Sequence, residues 1–507
     1  MVDFLLSNPY LAIIGGVICW EASWGIYCRY FHPLQSVPGP FWVSVSRLWT
    51  VYHASGGNME YVQRRLHKEY GYLVRIAPNE IICSDPRAIT TIYETKSDST
   101  RSDVYDAWAP PSKTGYPGHF PTRDEKMHTE HRRFVNSAYS MSSVLASEEN
   151  IDSCTHHLFQ ALRTAVEENS PVDLGRLLNM YTFDVLGELF YGQSFGMLET
   201  RSDVGSYMES IESLLPTFTI GGTLPSYLTQ LYLFFSISFS SSLRGAEAIR
   251  RRTRELAEGL NNKLDIMRKM LEIVKDRGQK VNFTLEHILV ESQSSLFAGA
   301  DTTSIALTST LYYLMQHPAC FKKLVAEINA AFTEGKLSDP VTYKEASTMR
   351  LRPGVGFHMP RVVPRSGATV CGTFIPGGYR VGINPAVVQY DRDIFGLDAE
   401  YFNPDRWLGE NVVEMERTMM VFGAGKRTCM GKHIALAQVY KVIPQLLRRF
   451  HMRLVKDQEW ETKNFWFKKP VDVMEHFPSK YLTKPFVYGY LEDDVELQAR
   501  NMDISSD

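Results

Sequence analysis

The tightest constraint on this chain is a ten-residue segment around one cysteine, residues 422–431. It reads FGAGKRTCMG and is followed directly by the amphipathic stretch KHIALAQVYKVIPQLLRRF. That stretch predicts a helix starting just beyond Cys429, and the positive end of a helix dipole favours a thiolate. Glycines at 423, 425 and 431 permit sharp turns and the close approach of a flat ligand. The segment therefore predicts a site built on an ionised cysteine.

The other residues of this loop suit a thiolate that binds a metal. Gly425 and Gly431 leave backbone N–H groups free to point at the Cys429 sulfur, and such hydrogen bonds tune a metal-bound thiolate. Phe422 can pack beside the sulfur and exclude water, and Arg427 can pair with a carboxylate of the bound group.

Other kinds of site fit the loop less well. A dinucleotide-binding loop needs a glycine at position 428, which is Thr428, and a phosphate-binding loop needs a glycine five positions before Gly425. Zinc could use Cys429 with His433, yet no further Cys/His pair lies nearby. A buried structural cysteine stays open as the plain alternative, although it would not require three glycines and an arginine.

The loop resembles the cytochrome P450 signature F-x-x-G-x-R-x-C-x-G and matches it at every fixed position. The resemblance spans nearly the whole chain and is closest to fungal membrane-bound P450s of secondary metabolism, such as the pisatin-demethylase-like group. It implies the P450 fold, mainly α with small β subdomains, binding haem b with Cys429 as axial iron ligand. It also implies an oxidoreductase, a mono-oxygenase that oxidises a lipophilic secondary-metabolite intermediate with O₂. Because no flavin-binding segment is recognisable, NADPH would act through a separate NADPH–cytochrome P450 reductase.

A second motif lies in the longest predicted helix, from His287 to Met315. Its segment FAGADTTS, residues 297–304, resembles the oxygen-activating motif of the family, which places Ala298 beside the haem. Gly299 is expected to let a ligand approach the helix, and the hydroxyl of the following Thr302 can divert a backbone carbonyl. Asp301 and Thr302 form an acid–alcohol pair that can relay protons, and both are the predicted catalytic residues.

Three further residues are predicted to contact the haem propionates. His128 and Arg132 occupy the place of the family's W-x-x-x-R, with histidine replacing tryptophan, and Arg361 lies in the segment MPRVVP. Arginine suits paired hydrogen bonds to carboxylates. For each arginine alone, a solvated surface position is the alternative.

One landmark of the family is broken. Arg350 matches the arginine of E-x-x-R, but Ser347 stands where the glutamate belongs, as though about three helical turns had been removed after Met349. The loss would leave Arg350, and Arg406 of the segment FNPDRW, without their glutamate, which can cost about 3–5 kcal/mol. Either the sequence is a faulty gene translation, or the protein is a degenerate P450 with impaired haem binding.

A haem-thiolate isomerase or dehydratase is a further alternative. Such relatives tend to lack the acid–threonine pair that Asp301 and Thr302 form here. For the active enzyme, Lys426, Arg427 and Lys432 flank the cysteine, and some of them are expected to form a basic docking face for the reductase. Apolar residues are expected to line the substrate pocket, including Phe357, Met359, Phe465 and Trp466.

Four regions are predicted along the chain: a membrane anchor at 1–31, a Pro-rich hinge at 32–42, the catalytic domain at 43–475 and an atypical C-terminal extension at 476–507. The anchor would span the endoplasmic reticulum membrane once and leave the catalytic domain in the cytosol. Glu21 makes that span marginal, and a cleaved signal peptide is the alternative. A net charge of −3 gives no reason to expect nucleic acid as a partner.

Overall fold

The computed structural model describes residues 9–94, 97–109, 114–168, 172–238, 251, 254–255, 266–281, 283–346, 355–454, 461–471 and 486–491. Helices form most of it. The α-helices are α1 Pro9–Tyr30, α2 Phe41–Val45, α3 Leu48–Ser55, α4 Met59–Tyr70, α5 Ala88–Tyr93, α6 Glu125–Val135, α7 Met141–Leu145, α8 Glu148–Glu167, α9 Leu174–Tyr191, α10 Met197–Thr200, α11 Tyr207–Thr223, α12 Ser226–Ser238, α13 Ile266–Val281, α14 Leu285–Gln316, α15 Pro318–Thr333, α16 Tyr343–Ala346, α17 Pro385–Val388, α18 Arg392–Phe395, α19 Val412–Thr418 and α20 Lys432–Arg449.

The strands form small sheets beside the helices. They are β1 Leu73–Ala77, β2 Glu80–Cys83, β3 Thr100–Arg101, β4 Val172–Asp173, β5 Arg361–Val362, β6 Ala368–Val370, β7 Thr373–Ile375, β8 Arg380–Ile383, β9 Phe450–Leu454, β10 Glu461–Phe465, β11 Phe467–Val471 and β12 Phe486–Leu491. The largest sheet has the order β1-β2-β8-β5-β3, and the hairpin β10–β11 stands apart from it. The predicted mainly α fold with small β subdomains is confirmed.

The long helix α14 crosses the middle of the molecule, with 32 residues against the predicted stretch from His287 to Met315. It starts at Thr284, whose side chain forms a capping box with His287, and it ends at Gln316 because Pro318 begins the next helix. Its apolar residues pack against α9 on one side and α20 on another. The core therefore surrounds the two sequence motifs.

The N-terminal helix α1 covers the segment predicted to span a membrane. Within the described residues, no helix is both long enough and apolar enough for that role. The predicted transmembrane helix is therefore not supported, and Glu21, near the middle of α1, is one residue that lowers its apolar character. The end of α1 contacts the domain: Trp24 Nε1 donates to the Val45 carbonyl at 2.9 Å, and Arg75 Nη1 donates to the Cys28 carbonyl at 3.2 Å.

The C-terminal part contains one strand that the sequence did not predict. The hairpin β10–β11 has Trp466 at its turn. Beyond it, β12 pairs antiparallel with β9 and extends to β4, so part of the predicted extension belongs to a three-stranded sheet. The broken E-x-x-R landmark, with Ser347 and Arg350, lies outside the described residues.

Candidate active site

The cysteine loop folds as a tight turn in front of α20. The Cys429 N–H donates to the Phe422 carbonyl at 2.8 Å, and the Thr428 N–H donates to the Gly425 carbonyl at 3.1 Å. Gly431 is the last residue before the helix. The loop thus holds Cys429 at the N-terminal end of α20, as the amphipathic pattern predicts.

Gly425 is required by space as well as by backbone conformation. Its φ is +63°, and a Cβ atom there would lie 1.6 Å from the carbonyl oxygen of Tyr93 in α5. Gly423 also has a positive φ, +71°, but a Cβ there would meet its nearest atom, the Arg427 carbonyl oxygen, at 3.8 Å. The loop therefore packs directly against the end of α5 at Gly425, whereas a side chain at Gly423 would meet no close neighbour.

The Cys429 thiol lies in a recess where burial and local charge oppose each other. The pKa of the Cys429 thiol is raised above its ordinary value, because burial outweighs the N–H groups of Gly431 and Lys432 and the charge of Arg132, which act to lower it. These are the groups that stabilise an anionic sulfur. Cys429 as a residue is nonetheless exposed. A cysteine in such surroundings is suited to bind a metal as a thiolate.

Five basic side chains converge beside this cysteine. We call them the basic cluster: Arg101, His128, Arg132, Arg361 and Arg427. His128 and Arg132 share one face of α6, since they are four residues apart. The antiparallel pairing of β3 with β5 places Arg101 directly opposite Arg361. The sheet and the helix thus bring together residues far apart in the sequence.

The basic cluster lacks enough acceptors within the described part of the chain. There, Arg101 Nε and Nη1, Arg361 Nη1 and His128 Nδ1 are buried without a hydrogen-bond partner. Burial, together with the charges of Arg361 and Arg427, lowers the pKa of Arg101 well below its ordinary value. Burial, followed by the charge of Arg427, lowers the pKa of His128 to about 2. A ligand with two carboxylates beside a metal would satisfy these nitrogens, so the residues present fit haem.

Arg101 is the member of the cluster that sequence reasoning missed. It stands in the segment STRSDVY, which carries no recognised motif, and is 6% exposed. Its guanidinium lies over the rings of Tyr105 and Phe120 at 4.4 and 4.8 Å. No signal in the sequence marks it, because its position depends on the pairing of β3 with Arg361.

Arg427 has a protein partner that the sequence did not predict. Its Nη2 lies 2.8 Å from a carboxylate oxygen of Glu125, and its Nη1 donates to the His119 carbonyl at 3.2 Å. Arg427 is buried, so among the three basic residues that flank the cysteine it is not one that can form a docking face. Lys426 is likewise held inward, donating to the Ser97 carbonyl at 3.1 Å. Lys432 lies over the Phe422 ring at 5.8 Å.

The second motif forms an unbroken part of α14. Thr302 Oγ1 donates to the Ala298 carbonyl at 2.9 Å, so the expected bond to a backbone carbonyl is present without a break in the helix. Ala298 and Thr302 are half-buried, whereas Asp301 is fully buried. The half-buried side of the helix is the side on which Thr302 can meet a ligand.

Gly299 and Asp301 face α9. A Cβ atom at Gly299 would lie 3.1 Å from Leu186, so this glycine has a packing role, and the approach of a ligand stays a prediction. It allows the two helices to pack closely. Asn179 Nδ2 donates to Asp301 Oδ1 at 3.1 Å, and Lys469 Nζ lies 2.6 Å from Asp301 Oδ2. The predicted acid therefore has two protein partners.

Aromatic side chains form one contiguous group near the motif helix. Trp466 stacks on Phe357 with ring centroids 5.0 Å apart, and Trp108 lies at the same distance from Trp466. Phe218 joins Trp108 to Phe297 of α14. Of the predicted pocket residues, Phe357 and Trp466 belong to this group.

Arg406 is satisfied without a glutamate. Its guanidinium donates to the carbonyls of Phe395, Asp398, Tyr401 and Asn403, and it pairs with the Asp398 carboxylate at 3.2 Å. The expectation that Arg406 would be left without a partner is therefore wrong. Backbone carbonyls of the surrounding turn take the place of the missing carboxylate.

Comparison with known proteins places this geometry in a family. The family model described as Cytochrome P450 matches residues 36–474. The cytochrome P450 monooxygenase gsfF of Penicillium aethiopicum is 40% identical, with 92% of this chain and 97% of that protein covered. A cytochrome P450 monooxygenase of Aspergillus terreus is 32% identical (89% and 96% covered), and a pisatin demethylase of Fusarium vanettenii is 30% identical (90% of each). The chain therefore belongs to the cytochrome P450 family and is an oxidoreductase of the monooxygenase type.

Proposed function

We propose that the chain is a haem-thiolate mono-oxygenase that oxidises a lipophilic secondary-metabolite intermediate with O₂ and electrons passed from NADPH by a separate reductase. The observation that carries this proposal is the Cys429 thiol at the start of α20, beside a basic cluster with buried nitrogens that have no hydrogen-bond partner among the described residues. Residues 43–475 would form the catalytic domain, after the hinge at 32–42.

The residues that would hold the haem follow from the same geometry. Cys429 would ligate the iron, and the N–H groups of Gly431 and Lys432 would stabilise its sulfur. Arg101, Arg361 and His128 would donate to the propionates. Once bound, the haem supplies the activation of O₂, which the thiolate assists by donating electron density.

This chain's own groups would supply the protons that the reaction needs. The Thr302 hydroxyl would hold a water molecule, or present its own hydrogen, at the half-buried side of α14. The buried Asp301 carboxyl would supply the proton to Thr302. The aromatic group that includes Trp108, Phe357 and Trp466 would bind an apolar substrate and exclude water. These side chains support a lipophilic substrate and do not single out one compound.

We further infer that the enzyme works at the endoplasmic reticulum membrane, with the catalytic domain in the cytosol. Apolar side chains of α1 that are more than half exposed support contact with lipid: Tyr10, Ile13, Val17, Ile18 and Trp20. Deleting residues 1–31 should move the protein from the microsomal pellet to the supernatant. Full retention in the pellet would contradict the inference.

The proposed reaction is tested by comparing two threonines of α14. Thr302 and Thr308 each donate a side-chain hydrogen bond to the carbonyl four residues earlier, at 2.9 and 2.7 Å, but Thr308 is buried. With reductase, NADPH and a converted substrate, Thr302→Val should lower product per NADPH by roughly 10²-fold and increase peroxide release. Thr308→Val should leave the ratio unchanged. Equal ratios in both variants would contradict the role of Thr302.

A further inference from the structure

The terminal hairpin β10–β11 reaches the motif helix through a single lysine. Lys469, in β11, places its Nζ 2.6 Å from Asp301 Oδ2. Asp301 is fully buried, and its other oxygen accepts from Asn179 at 3.1 Å. The carboxylate that the proposed function uses as a proton carrier thus accepts a hydrogen bond at Oδ1 and lies within ion-pair distance of Lys469 at Oδ2.

The same ammonium group has a second carboxylate within reach. Glu212, in α11, lies with its Oε1 3.6 Å from Lys469 Nζ. Exposure falls from 38% for the Glu212 side chain to 20% for Lys469 and 0% for Asp301. Lys469 therefore lies between the surface and the buried acid, and a small rotation transfers its contact from one carboxylate to the other.

This arrangement bears on how a proton is passed inward. While Lys469 pairs with Asp301, its ammonium lies against Oδ2. When Nζ moves onto Glu212, Oδ2 is free to accept a proton from a hydronium ion of the solvent, which leaves water behind and converts the carboxylate to the acid. The acid then gives the proton up toward Thr302, and the restored carboxylate pairs with Lys469 again. Each cycle moves one proton inward and leaves all three side chains as they began.

We propose that Lys469 is a positioning residue that controls the availability of Asp301 for proton delivery by exchanging between Asp301 and Glu212. The inference rests on the proposed function, in which Asp301 supplies protons. It assigns the hairpin that carries Trp466, a member of the aromatic group, a direct connection to the proton supply. Movement of that hairpin on substrate binding would then shift Lys469 between its two partners.

The test uses four variants and measures the ratio of product to peroxide across pH. Lys469→Met removes the ammonium that lies against the buried Asp301 carboxylate, so proton delivery should come to depend on the pH of the solvent. The ratio of product to peroxide should then change by at least about threefold between about pH 6.5 and about pH 8.5. In the unsubstituted enzyme the ratio should stay constant over this range. Lys469→Arg should restore the flat profile.

Glu212→Gln removes the alternative partner and should slow product formation with an increased solvent isotope effect. Lys463→Met is the matched control, because Lys463 faces solvent opposite Lys469 on the same hairpin.

A second measurement does not depend on activity. In a thermal-stability cycle on the haem-loaded protein, Lys469→Met and Asp301→Asn should be strongly non-additive, with the double variant more stable than Lys469→Met alone. Additive effects of the two substitutions on thermal stability would show that Lys469 and Asp301 do not pair. A Lys469→Met profile that matches the Lys463→Met profile, in an enzyme that forms product, would overturn the control role while leaving the proposed function intact. Failure of the unsubstituted enzyme to form any O₂-dependent product would instead refute the proposed function and, with it, the control role.

Discussion

At the residue scale, the basic cluster stores an unpaired positive charge in the protein interior. A buried polar group without a hydrogen bond costs about 1–3 kcal/mol, and Arg101 contributes two such nitrogens within the described chain. The unbonded nitrogens of such a site lower the stability of the ligand-free protein. Binding of carboxylates to Arg101 and Arg361 would recover this stability.

Arg101→Met should therefore have opposite effects on the haem-free and haem-loaded protein. Without haem, removing the buried guanidinium should raise the free energy of unfolding by about 1–3 kcal/mol. With haem, the variant should release the group faster, because a propionate loses its partner. Urea unfolding and haem transfer to an acceptor protein measure the two effects. Destabilisation of both forms would indicate a purely structural arginine.

His128 makes the haem-free chain sensitive to acid. Its pKa of about 2 lies below the ordinary value of 6.5, so between these values the unfolded chain binds a proton that the folded chain does not. Its contribution to stability is present above pH 6.5 and is lost as pH falls, by about 1.4 kcal/mol per pH unit. His128→Gln should lose less stability than the unsubstituted chain between about pH 6.5 and about pH 5.5 in urea titrations. Parallel losses would contradict the depressed pKa.

At the element scale, the cysteine loop is positioned by its contact with the end of α5. Gly425→Ala would force a Cβ to within 1.6 Å of the Tyr93 carbonyl oxygen, so the loop must move away from α5. We expect a loss of more than about 4 kcal/mol of stability and of the thiolate-ligated haem spectrum. Gly423→Ala, with a similar φ but free space, should cost about 1–2 kcal/mol and keep the spectrum. Equal effects of the two substitutions on haem binding would show that the backbone conformation of the loop, and not its contact with Tyr93, determines whether haem binds.

The elements differ in how far the sequence could predict them. The existence of α14 followed from the sequence, which predicted a helix from His287 to Met315. The role of Gly299 did not, because its reason is the approach of Leu186 from a different helix. Lys469 was not predicted, for the same reason. A lysine in a hairpin carries no local sign of a buried partner 168 positions away in the sequence.

At the scale of the whole molecule, the fold brings together residues that no local pattern connects. The sequence predicted the family, the α-rich fold, the cysteine loop and four of the five members of the basic cluster. Arg101 and the carbonyl partners of Arg406 depended on tertiary structure and were not predictable. The transmembrane span rested on composition alone, and α1 does not support it.

The central claim is that this chain, as its sequence stands, assembles haem on Cys429. The most direct measurement is the carbon-monoxide difference spectrum of the reduced full-length protein in microsomes. We predict a thiolate-type Soret band that Cys429→Ser abolishes without loss of the folded protein. A folded chain that shows no such band, or a band that persists in Cys429→Ser, would contradict the account.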